Sequence, residues 1–93
     1  MSERDRWKRL RDPEEVRRAV ESELGAHPTP AEVERWASEN GLEHSQLTDG
    51  VIYVSAPAPR SSLLVRGKWL LEFHFDASGE LAELRVAQGL IGP

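Results

Sequence analysis

Two spacings of apolar residues divide the chain. Val16, Ala19, Val20 and Leu24 recur every three or four positions, as one face of a helix requires, and Val33, Trp36 and Ala37 repeat the pattern. From Lys68 onward the period shortens to two. Trp69, Leu71, Phe73 and Phe75 then share one face of an extended strand, and Lys68, Leu70, Glu72 and His74 share the other. Asp76-Ala77-Ser78-Gly79 reads as a turn with glycine placed for a positive φ, after which Ala82, Leu84 and Val86 alternate with Leu81, Glu83 and Arg85.

Both helices carry end signals. Asp12-Pro13-Glu14-Glu15 offers a cap, a proline suited to the first helical position and an acid able to reach back to the cap amide, which predicts a helix from Pro13 to about Leu24, stopped by Gly25. Glu14 with Arg18, and Arg17 with Glu21, are spaced for ion pairs on its solvent side. Thr29-Pro30-Ala31-Glu32 repeats the start signal, and Asn40-Gly41 ends the second helix with Leu42 folded back onto Ala37. Residues 43–47 show no clear period. Thr48-Asp49-Gly50 is a turn signal before Val51-Ile52-Tyr53-Val54, a β-branched and aromatic strand. Pro57 and Pro59 remove ladder donors, which predicts an exposed loop over residues 55–62. Leu63, Leu64 and Val65 extend the following strand, with Gly67 marking a bulge or bend.

The closing hairpin has two registers that keep its apolar residues on one face. A four-residue loop at residues 76–79 sets Phe73 opposite Ala82, Leu71 opposite Leu84 and Trp69 opposite Val86, but also Glu72 against Glu83. A slip of two residues pairs Glu72 with Arg85 and His74 with Glu83, and the sequence leaves both open. The expected fold is α+β: two N-terminal helices packed on one face of an antiparallel meander of three or four strands. Its expected core is Val16, Val20, Leu24, Val33, Trp36, Val51 or its strand neighbours, Trp69, Leu71, Phe73, Phe75, Leu84 and Val86.

Composition narrows the function. Ninety-three residues support one core, and the absence of cysteine excludes disulfides, thiolate zinc sites, iron–sulfur clusters and a cysteine nucleophile. No apolar run is long enough to span a membrane, and the first residues lack the apolar stretch of a signal peptide, so the cytoplasm is the expected location and no membrane partner is expected. The net charge is −4, unevenly spread. Residues 1–11 carry Arg4, Arg6, Lys8, Arg9 and Arg11 against Glu3 and Asp5, whereas nine acids face five basic residues after Gly25. This reads as a charged arm over residues 1–11, dispensable for folding, ahead of a single domain over residues 12–93. The arm supplies an alternative function, nucleic-acid association, which the acidic body opposes.

His27, His44 and His74 have no metal-ligand spacing, no serine stands in a Gly-x-Ser-x-Gly elbow and no glycine-rich phosphate loop follows a strand. Glu72 and His74 share a strand face and form the one candidate acid–base pair, which an ordinary polar sheet face also explains. The expectation is a chain without catalytic, cofactor or metal residues. Lys68, Leu70, Glu72, His74, Leu81, Glu83 and Arg85 mix apolar groups with both signs of charge on the outer sheet face, a composition suited to a protein partner. Trp7, with Leu10 three residues on, forms a short amphipathic turn expected to dock on its own domain, on a second copy or on a partner. The uncharged strand over residues 51–54 is the expected site of a homodimer or of a partner's strand wherever it lies at a sheet edge.

The helix pair, the proline-rich excursion and the closing Phe73-His74-Phe75-Asp76-Ala77-Ser78-Gly79-Glu80-Leu81 resemble small bacterial domains of the SmpA/OmlA (BamE-like) and β-lactamase-inhibitor-protein-like group. The resemblance covers roughly residues 29–88 and rests on a hairpin of aromatic, Asp, short turn, Gly and hydrophobic strand. It implies a non-catalytic protein-binding module. The lipid-anchoring cysteine of envelope members of that group has no counterpart in this chain.

Overall fold

The computed structural model describes residues 7–58 and 66–91. Helices α1 (Pro13–Leu24) and α2 (Pro30–Glu39) precede strands β1 (Glu43–His44), β2 (Val51–Ala58), β3 (Arg66–Phe75) and β4 (Leu81–Ile91). The strands form one antiparallel sheet in the order β1-β2-β3-β4, so the fold is α+β.

The end signals act as their chemistry dictates. Asp12 Oδ1 accepts the Glu15 N–H at 2.9 Å. At α2 the exchange is reciprocal: Thr29 Oγ1 accepts the Glu32 N–H at 3.2 Å and Glu32 Oε1 accepts the Thr29 N–H at 2.9 Å. The bond from the Thr29 amide, followed by that to the Thr29 side chain, holds the Glu32 carboxyl below its usual range. Past α2, Gly41 adopts φ +68° and the Leu42 N–H reaches the Ala37 carbonyl at 2.9 Å, which buries Leu42. Arg17 departs from the expected pairing with Glu21. Its Nε meets Glu14 at 3.3 Å, and its Nη1 donates to the Leu84 carbonyl, joining α1 to β4.

Val16, Val20, Val33, Trp36 and Ala37 of the helices pack against Ile52, Val54, Ala56, Ala58, Trp69, Leu71, Phe73 and Leu84 of the sheet. Trp36 meets Phe73 edge-on at 6.2 Å between ring centroids. Leu24, Phe75 and Val86 are partly buried against this cluster. On β2 the core takes Ile52 and Val54, while Val51 lies on the opposite side.

Four expectations are corrected. Residues 55–58 belong to β2 and not to a loop, and Pro57 pairs in register with Lys68. The Tyr53 N–H turns toward the β1 side, where it reaches Ser45 Oγ at 2.9 Å. Strand alternation points the Pro57 nitrogen the same way, past the end of β1, so the missing donor costs no ladder bond. The rest of the proposed loop, and the extension at residues 63–65, lie outside the described residues.

Gly67 is not a bulge but pairs regularly with Ala58 and Leu90. The irregularity falls between His74 and Phe75: His74 opposes Glu83 and Phe75 opposes Leu81, which leaves Ala82 as the extra residue. The hairpin therefore takes the slipped register, Glu72 opposite Arg85 and Phe73 opposite Leu84. The bulge reverses the faces at the start of β4, so Leu81 joins the core side and Ala82 is exposed.

The third correction concerns the arm. Trp7 begins a single 3-10 turn and is fully buried, its indole edge-on to Trp36 at 5.7 Å, and Leu10 packs on the same core. A boundary after residue 11 thus cuts through packed structure. Fourth, the condition attached to residues 51–54 as a pairing site, a place at a sheet edge, is not met, because β3 lies on one side and the Ser45 N–H reaches the Tyr53 carbonyl at 2.9 Å on the other. Among the described residues, the long open edge is β4.

Candidate functional site

The helices cover one sheet face, and the described residues leave the other open. Alternation turns Tyr53 and Ser55 of β2, Lys68, Leu70, Glu72 and His74 of β3, and Glu83, Arg85 and Ala87 of β4 to that outer side.

Glu72, His74, Glu83 and Arg85 occupy the corners of a square on β3 and β4. His74 Nε2 donates to Glu72 Oε1 at 3.0 Å, Arg85 Nε lies 3.2 Å from Glu83 Oε2, and the register sets Arg85 across from Glu72 and His74 across from Glu83. Each acid is flanked by a nitrogen base along its strand and another across it. Exposed pairs of this kind contribute little stability but fix side-chain directions.

Beside the square stand two exposed apolar groups, Tyr53 and Leu70, at 54% and 43% exposure. Tyr53 lies opposite Glu72, and Leu70 opposite Ser55. Gly89 on β4 seats Leu70, since a Cβ at that position would stand 3.0 Å from Leu70 Cδ1. With Glu43, Ser55 and Glu72 these two side chains line a groove of about 450 Å³. His74 is not among its lining residues.

Of the residues the sequence singles out for partner contact, Lys68, Leu70, Glu72, His74, Glu83 and Arg85 are brought together on this face. Leu81 and Trp7 are not: the bulge turns Leu81 inward, and Trp7 is inside the core. Tyr53, Ser55 and Glu43 escaped sequence reasoning. For Tyr53 the signal was present, because strand alternation in Val51-Ile52-Tyr53-Val54 separates it from Ile52 and Val54.

The histidines are dispersed. His44 Nδ1–H donates to the Ser45 carbonyl at 3.2 Å, so Nε2 accepts the Ser38 hydroxyl at 3.1 Å, which ties β1 to α2. Among the described residues no group of three or more His, Asp or Glu side chains is placed to hold a metal ion, and no helix is long and apolar enough to cross a membrane. No family model, curated protein or solved structure matches the chain.

Proposed function

We propose that the chain is a non-catalytic protein-binding module, of adaptor, inhibitor or immunity type, that engages another protein through the outer face of its sheet. The observation that carries this reading is the exposure of Tyr53 and Leu70 as diagonal neighbours, bordered on β3 and β4 by Lys68, Glu72, His74, Glu83 and Arg85. Exposed apolar groups bordered by polar ones suit a protein interface, with a tyrosine of the kind that anchors one. The internal balance of the square also favours a partner of mixed charge over a polyanion, whose phosphates Glu72 and Glu83 repel. The likeness of the closing hairpin to SmpA/OmlA-type domains points to the same class of module.

The test uses Leu70→Arg and Tyr53→Ser, both on outward-facing positions, with Arg18→Ala on the exposed side of α1 as control. Each is used for affinity purification from the native host with quantitative mass spectrometry. The expected result is a protein recovered with the wild type and the control, and reduced about tenfold or more by both face variants. Recovery that the face variants leave unchanged, or no protein that distinguishes them, overturns the proposal. Salt-sensitive retention on heparin, lost on replacing Lys8 and Arg9, redirects the function to the basic arm.

A further inference from the structure

Backbone direction along β4 follows from one hydrogen bond. The Phe75 N–H reaches the Gly50 carbonyl at 2.8 Å on the β2 side. Alternation along β3 then turns the peptide groups of His74, Glu72, Leu70 and Lys68 toward β4. Their partners Glu83, Arg85, Ala87 and Gly89 bond inward, and the N–H and C=O groups of Leu84, Val86, Gln88 and Leu90 face the open edge. The Arg17 bond to the Leu84 carbonyl, reached from α1, agrees with this assignment.

An open edge is usually guarded by charge, proline, a bulge or brevity. On the far side of the sheet, β1 is two residues long and Pro57 faces the gap beyond it. The first half of β4 is guarded by the Ala82 bulge, by Glu83 and Arg85, and by Arg17 on Leu84. Residues 86–91 are uncharged and contain no proline. Among the described residues, this is the one stretch of edge with none of these protections.

We infer that the Val86–Leu90 edge of β4 pairs antiparallel with the same edge of a second copy, about a two-fold axis at Gln88. Arg17 selects this register. With the Leu84 carbonyl occupied, pairing is confined to Val86, Gln88 and Leu90, a segment centred on Gln88, so Gln88 meets its own counterpart and Val86 meets the partner's Leu90. The outward neighbours are then Ala87 against the partner's Gly89, small enough to join without collision, and no like charges meet. A two-fold interface uses one patch twice, as this self-complementary segment allows. The product is a continuous sheet through both copies with their outer faces side by side, independent of whether that face binds another protein.

Sedimentation equilibrium from roughly 10 μM to roughly 1 mM, the range in which small interfaces associate, tests this alongside amide exchange. The expected result is a dimer in which the Val86, Gln88 and Leu90 amides exchange more slowly as concentration rises. Gln88→Pro removes the central donor at an edge position that tolerates proline, and weakens dimerisation at least about tenfold. Gln88→Lys, which keeps the backbone donor and sets like charges across the axis, does the same should the proline variant fail to fold. A wild type that stays monomeric throughout, a dimer that a folded Gln88 variant leaves intact, or edge amides indifferent to concentration each overturn the inference.

Discussion

Trp69 donates its indole N–H to the backbone carbonyl of Trp7 at 3.0 Å, across 62 positions of sequence. Both rings are fully buried, and Trp7 stands edge-on to Trp36, which in turn meets Phe73. The turn that begins at Trp7 is thereby fastened to the centre of the sheet. In sequence, the basic residues Lys8, Arg9 and Arg11 follow this aromatic anchor.

Trp7→Ala is therefore expected to cost about 3–5 kcal/mol, the range for a large aromatic removed from a core, and deletion of residues 1–11 at least as much. Urea unfolding measures both. A variant within about 1 kcal/mol of wild type means that the tryptophan is not part of the folding unit.

The hairpin before β2 makes a second demand. Asp49 and Gly50 both have positive φ, +53° and +78°, and Thr48 and Val51 exchange backbone hydrogen bonds at 3.0 Å, a two-residue type I′ turn. A Cβ on Gly50 would stand 3.2 Å from the Phe75 carbonyl oxygen. Gly50→Ala is expected to lose about 1–2 kcal/mol, whereas Asp49→Asn, which tolerates the left-handed region, stays within about 0.5 kcal/mol. Equal midpoints for the two variants in urea argue against the turn assignment.

Local rules made the helices, their caps, the β3 alternation and both turns legible, because each rests on residues a few positions apart. What local rules missed depends on distant partners. Pro57 reads as a loop residue until β1 is known to end short of it, and Trp7 reads equally as docking on its own domain or on another molecule until Trp36 and Trp69 are known to form its pocket. Strict alternation places Leu81 on the outer face because it cannot foresee the bulge that sets Leu81 opposite Phe75. The outer face was legible on β3 for the same reason that its core face was. Glu43 joined it only through the pairing of Glu43 with Ser55.

The last turn links the hairpin to pH. Asp76 Oδ1 accepts the Ser78 hydroxyl at 2.6 Å, the Ser78 N–H at 2.9 Å and the Glu80 N–H at 3.1 Å. The Ser78 hydroxyl bond, then the Glu80 amide, holds this carboxyl below the ordinary aspartate range. Since the folded value lies below the unfolded one, near 3.9, the ionised group stabilises the fold fully above that pH. The contribution fades as pH falls through the lower, folded value. Two measurements follow: carbon-detected NMR titration should place Asp76 below the unfolded aspartate value, and the urea midpoint should fall with pH below about 4. Asp76→Asn removes the charge, so its midpoint should depend less steeply on pH in that range, while Ser78→Ala should move the Asp76 titration upward. An Asp76 that titrates at or above the unfolded value, or an asparagine variant with an unchanged acid slope, shows that the turn bonds do not favour the carboxylate.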